Sequence, residues 1–266
     1  MPPLVVAWGR ITLAALILLP IAWRRGALGA VRRHWAAVWA FALVEFVVPF
    51  SAISIGERWI GSAITGILIA GVPLTVVILA HFFGVHEPLG RRRLLGLVTG
   101  FLGVAALVGF GPVSGVQGWA GVGCMLLATV GYAAGPLIIQ RHLSDMDSLG
   151  PVAASLTIAS LVLLLPAVLT FPTRLPSAVS LSSIAVLGVL CTAVAMLLMF
   201  YLVAHAGASR ASIITYINPL VATLLGAGLL HERLGAGGFI AFAIILIGSW
   251  LATSAAAPAQ GIAEAV

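Results

Sequence analysis

Apolar residues run along this chain in blocks of about twenty, punctuated by short polar stretches, from Leu4 to Thr253. A helical block of that length crosses the ~30 Å of bilayer hydrocarbon. The pattern predicts nine helices, at roughly 4–23, 34–55, 60–83, 94–111, 118–140, 150–170, 180–203, 210–230 and 237–254. The remainder, 255–266, reads as a short disordered tail. No linker is long enough to separate soluble domains. The expected fold class is an all-α polytopic membrane protein.

Composition agrees with the pattern. Hydrophobic residues make up 62% of the 266 positions and charged ones 8%, against about 25% charged in soluble domains. The net charge of +6 comes with thirteen arginines and no lysine. That excludes a P-loop lysine and a lysine Schiff base, so neither ATP hydrolysis nor a cofactor is expected. The arginines sit mostly in short loops, which accounts for the charge without nucleic acid as a partner. Cys124 and Cys191 fall inside apolar runs and read as small core residues rather than a disulfide or metal site. The first apolar run is too long, and too poor in preceding basic residues, for a cleaved signal peptide.

The arginines also set orientation. Arg24, Arg25, Arg32 and Arg33 follow the first helix, and Arg91, Arg92 and Arg93 follow the third. With those loops cytoplasmic, Arg141 and Arg210 join them. Only Arg10, Arg58, Arg174 and Arg233 remain for the other side. The predicted N-terminus is outside and the C-terminus cytoplasmic.

The chain repeats itself. A shift of 146 residues lays "LAALILLP" ending at Pro20 on "ASLVLLLP" ending at Pro166, Gly61 on Gly207, and Pro73 on Pro219. After a one-residue slip, His86-Glu87 meets His231-Glu232, Gly90 meets Gly235, and Gly103 meets Gly248. Four consecutive helices match four others, and the helix at 118–140 has no partner. A five-helix unit is odd-numbered, so its second copy enters the membrane upside down, the inverted-repeat plan of many secondary transporters. The expected units are 1–113, lacking its first helix, and 114–254. Pro2-Pro3 suits a chain that begins at an internal methionine, because proline favours the first turn of a helix.

At these residues the sequence resembles the EamA family of the drug/metabolite transporter superfamily. The resemblance rests on paired five-helix units, on "Pro … Glu-x-Leu-Gly … Gly" closing each unit, and on the early Arg in "VVAWGRITLAALILLP". It implies an exporter of amino acids or related metabolites, with a central cavity between the units. It also implies a bacterial-type inner membrane and no enzymatic activity. A homodimer is compatible with this architecture.

Several residues are candidates for chemistry. His86-Glu87 and His231-Glu232 tempt a metal reading, but inversion puts the pairs about a membrane thickness apart. Glu87 and Glu232 instead read as caps for the helices after them, with Gly90 and Gly235 as structural repeat markers. Glu45 is the one carboxylate deep inside a span. There an ionised acid costs about 2.5–3.5 kcal/mol on insertion scales, so it is expected to face a cavity or a partner. Arg10 is either that partner or a snorkelling side chain. Pro49, Pro73, Pro136 and Pro219 free carbonyls in a way that suits cavity-lining helix breaks. Thr215, Tyr216 and Asn218 cluster before Pro219, and Tyr132, Trp39, Tyr201 and Phe50 complete the pathway candidates. Efflux of lipophilic cations, bound by Glu45 near Trp39, is the nearest alternative. An intramembrane lipid-modifying enzyme is the alternative of another class. It lacks a Ser-His-Asp set or paired mid-membrane carboxylates.

Overall fold

The computed structural model describes residues 1–84, 90–110, 113, 115–172, 176–211, 214, 221 and 236–253, and these contain helices and turns but no strand. The main helices are α1 (Pro3–Arg24), α2 (Trp35–Gly56), α3 (Ile64–Phe82), α4 (Arg91–Phe110), α5 (Gly115–Leu143), α6 (Leu149–Leu169), α7 (Ala178–Ala206) and α8 (Ala236–Thr253). Six of them, α1, α2, α3, α5, α6 and α7, are long and apolar enough to cross a membrane. Each of these eight matches a predicted helix to within a few residues, whereas the single turn Leu28–Val31 falls in a predicted loop. The predicted helix 210–230, Pro219, Thr215, Tyr216, Asn218, Glu87, Glu232, Gly235 and the tail lie outside the described residues.

Helix ends follow local chemistry. Pro3 occupies the first turn of α1, where its missing N–H costs nothing. Ser177 caps α7, its Oγ accepting from the Ser180 amide at 3.2 Å. Large apolar side chains such as Leu16, Phe82, Leu165 and Leu198 stay exposed, whereas Ile11, Phe41, Phe46, Met125 and Phe200 are fully buried. That surface belongs in lipid.

Helix α3 is broken where Pro73 predicts. Its first segment belongs to the α-helix Ser62–Ile69, which starts two residues before the apolar span. The chain then turns at Ala70-Gly71 and resumes as Val72–Phe82. Three hydroxyls take up carbonyls around the break. Thr129 Oγ1 donates to Leu68 O at 3.4 Å, Ser249 Oγ to Ala70 O at 3.4 Å, and Thr75 Oγ1 to Gly71 O at 3.1 Å. Irregular backbone at membrane depth survives only with such internal partners.

Two helix pairs form the spine of the bundle. Helix α4 packs on α8, with Gly96 against Ala252, Gly100 against Gly248, and Gly103 against Ile245. A Cβ at Gly103 would lie 2.7 Å from the Ile245 side chain, so these glycines are what allow the close approach. Helix α1 packs on α6, where Thr12 and Ser160 share a hydrogen bond of 2.7 Å and Ala27, just past α1, touches Gly150. In both pairs the residue numbers rise on one helix as they fall on the other. Both pairs are antiparallel.

One end of the bundle collects the chain around Ala27, Phe83, Gln140, Gly150 and Ala208. Arg141 donates to the Phe83 carbonyl, and the Ala208 amide donates to Gln140 Oε1 at 2.8 Å. Arg24, Arg25, Arg32, Arg33 and Arg141 all belong to this end.

Candidate functional site

Three stretches of π-helix interrupt the long spans: Ala42–Val47 in α2, Ile139–Leu143 in α5 and Val189–Val194 in α7. Each adds a residue to a turn, a distortion found often at functional sites. Those of α2 and α7 rotate the helix beyond them, and that of α5 ends its helix. The first carries Glu45 and precedes Pro49, which cannot donate to the Glu45 carbonyl. The third carries Cys191 and Thr192, where Thr192 Oγ1 bonds back to Leu187 O at 2.8 Å.

The α2 distortion turns Glu45 inward, leaving it 3% exposed, with Oε2 buried and unpaired among the described residues. It rests against Gly135 of α5. A Cβ there would overlap Oε2 and lie 2.9 Å from the carboxyl carbon. One turn earlier, Gly131 accepts the Val44 carbonyl and the Pro49 ring, the latter at 2.7 Å from an added Cβ. Gly131 and Gly135 form the small-residue stripe that brings α5 onto the distorted turn of α2.

Arg10 reaches from α1 to the α7 distortion. Its Nε donates to Thr192 Oγ1 at 3.1 Å and its Nη2 to the Cys191 carbonyl at 3.3 Å. The guanidinium lies over the Phe50 ring, 4.2 Å from the centroid, an attractive contact for a cation. Phe41, Phe46, Phe50 and Tyr132 continue as an edge-to-face ladder with centroids 5.5, 5.8 and 6.3 Å apart.

Arg10 and Glu45 form no ion pair, against the partner reading. Arg10 is half-buried and is tied instead to α7. Phe50 and Tyr132 join the cluster. Pro49 and Pro136 flank it, and Pro73 serves the separate α3 break. Pro136, expected as a break, instead lies inside the continuous α-helix Gly115–Ile138, packed between the Gly131–Gly135 stripe and the end of α5. Trp39 is 44% exposed and makes none of the cluster's contacts. Tyr201 is exposed and stacks on His205 at 4.0 Å. Gly90 has open space about it. The expectation that both cysteines are core residues fails for Cys191, which is exposed on α7, whereas Cys124 is half-buried and both are free.

Thr192, Gly131 and Gly135 were not singled out by sequence reasoning. The glycines were visible as Gly-x-x-x-Gly immediately before Pro136. Thr192 was visible as the residue that the 146-residue shift lays on Phe46, beside Glu45.

Six helices long and apolar enough to cross a bilayer, with large apolar side chains left exposed on them, define an integral, multi-pass membrane protein. The EamA-like transporter family matches residues 1–109 and 119–254, and the chain belongs to that family. It is 27% identical over 237 residues to the uncharacterized transporter YvbV of Bacillus subtilis, covering 88% of this chain and 76% of that one. It is 26% identical over 254 residues to the uncharacterized inner membrane transporter YedA of Escherichia coli, covering 92% and 81%. A WAT1-related chloroplastic protein of Arabidopsis thaliana is 26% identical over 261 residues, covering 94% and 62%. One solved crystal structure shares the fold with a TM-score of 0.72 at 19% identity, over 96% of this chain and 89% of that one. The protein is a membrane transporter of small molecules.

Proposed function

We propose that the protein exports amino acids or related small metabolites by alternating access, along a central pathway between two inverted repeats. The observation that carries this reading is the cluster of Arg10, Glu45, Phe50, Tyr132 and Thr192, drawn from four apolar helices, α1, α2, α5 and α7. In the proposed division, 1–113 and 114–254, α1 and α2 belong to the first unit and α5 and α7 to the second. The site therefore lies where the units meet.

Contacts that come in matched pairs support inversion. Gly9 packs on the Ile184 side chain, and Ser155, its counterpart in the second unit, donates to the carbonyl of Val38, the counterpart of Ile184, at 3.1 Å. Gly103 meets Ile245, and its counterpart Gly248 meets Gly100, the counterpart of Ile245. Reciprocal contacts of this kind are the signature of a two-fold axis. Because α1/α6 and α4/α8 are antiparallel, that axis lies in the membrane plane. The π-stretches of α2 and α7 also coincide under the same shift, within one residue.

Amino acids as the cargo come from the family resemblance, together with a site that offers one acid and one base. Purified protein in liposomes should release preloaded amino acids when a pH gradient is imposed. Flux no faster than from protein-free vesicles, for every amino acid and amine tested, would refute transport of this class.

We also propose a cytoplasmic C-terminus, because the arginine-rich end carries the loops after α1 and α5. In a variant with Cys124 and Cys191 replaced by alanine, Ala30→Cys should react with an impermeant maleimide only after cells are permeabilised. Labelling in intact cells would invert the orientation.

A further inference from the structure

We infer that Arg10 is the subsite for an anionic group on the transported molecule, so that a carboxylate is required and a purely cationic amine is excluded. The inference rests on the transport reading and deepens it.

A guanidinium has five N–H donors in a rigid fork. Here two are used, and both lie on one edge. Nε binds Thr192 Oγ1 and Nη2 binds the Cys191 carbonyl. Both acceptors are neutral. None of the other donors has a partner among the described residues, and Arg10 makes no ion pair there. The free edge, Nη1 with the second hydrogen of Nη2, is the one that takes a carboxylate through two parallel hydrogen bonds. The α7 contacts and the Phe50 ring fix the plane of the fork in advance, which suits a planar bidentate ligand better than a spherical ion.

The surroundings fit the same ligand. Tyr132 stands edge-on to the Phe50 ring that Arg10 covers, and its hydroxyl makes no hydrogen bond among the described residues. It offers a further donor to an anion bound at the fork. Arg10 itself is half-buried, so its fork is not sealed within the core. Glu45 lies five residues from Phe50 on the same helix, about 7.5 Å along its axis. A zwitterion carries a group for each, an anion for the fork and a cation for the carboxyl. A lipophilic monocation has nothing to offer Arg10 and is repelled by it.

The test separates binding from flux. Binding to purified protein in detergent is read by thermal stabilisation, with L-phenylalanine, phenethylamine and 3-phenylpropionate as one matched set and L-leucine, isopentylamine and 4-methylpentanoate as the other. In at least one set the amino acid and the acid should bind at least about tenfold more tightly than the amine. Arg10→Gln should erase that preference by weakening the carboxylates and sparing the amine, whereas Arg10→Lys should keep part of it. Thr192→Val removes one anchor of the fork but keeps its charge. If Arg10 were only structural, Thr192→Val and Arg10→Gln would weaken all three ligands alike. Amines that bind as well as amino acids, no binding by any carboxylate, or a preference that survives Arg10→Gln overturns the subsite. Binding as expected without flux in liposomes would instead sink the transport reading and leave the subsite standing.

Discussion

Glu45→Gln is expected to leave the bundle folded, to cut transport about tenfold or more, and to flatten its pH dependence between pH 6 and 8. The carboxyl sits in a 3%-exposed pocket with Oε2 unpaired among the described residues. A buried acid without a partner bears a large desolvation penalty in its charged form. The site tolerates that charge only while a proton or a cationic group of the cargo accompanies it. Such a group can exchange one for the other during a transport cycle. Glutamine keeps the shape and the polar atoms but can neither carry the proton nor attract an ammonium. Arg10 is not ion-paired to Glu45, so removing the acid should leave no orphaned charge behind. The double variant Glu45→Gln with Arg10→Gln should therefore be additive in stability to within about 0.5 kcal/mol. A strongly coupled pair would instead recover much of the single losses. Transport by Glu45→Gln that matches the parent at every pH from 6 to 8 would make Glu45 a structural residue.

The sequence made some of this legible and not the rest, for physical reasons. Apolar runs as long as the bilayer is thick located the described helices, because the hydrocarbon imposes that length on any spanning helix. Pro73 foretold the break in α3, and Gly96, Gly100 and Gly103 the close contact, since both depend on what a backbone can do locally. The π-stretches were invisible. A single extra residue in a turn leaves hydropathy unchanged, yet it decides which side of α2 presents Glu45. The partner of Arg10 was missed for a related reason. Depth arithmetic placed Glu45 within reach, but the choice depends on direction around the helix axis, and Arg10 points to α7. Pairing of charges is also a weak guide when a threonine hydroxyl and a main-chain carbonyl, freed in a distorted turn, compete for the same fork. Exposed Cys191 shows the limit of hydropathy, which does not separate a core position from a lipid-facing one when both are apolar.

Two alanine substitutions on α5, one turn apart, should fail in opposite ways. At Gly131 an added Cβ meets the Val44 carbonyl and the Pro49 ring, 2.7 Å away. Neither can rotate aside. Gly131→Ala should force α5 and α2 apart and destabilise the protein by about 1–3 kcal/mol or more, the usual cost of overpacking. At Gly135 the added Cβ meets the carboxyl end of Glu45, a flexible side chain that can move. Gly135→Ala should cost little stability, yet displace the carboxyl from the π-stretch and reduce transport nearly as far as Glu45→Gln does. The two losses share one cause, so combining Gly135→Ala with Glu45→Gln should slow transport little beyond Glu45→Gln alone. Thermal unfolding in detergent and flux in liposomes read the two effects separately. Wild-type flux in Gly135→Ala would show that the position of the Glu45 carboxyl does not matter to transport. A loss of stability as large as that of Gly131→Ala would show that the α2–α5 contact, rather than the carboxyl, is what Gly135 protects.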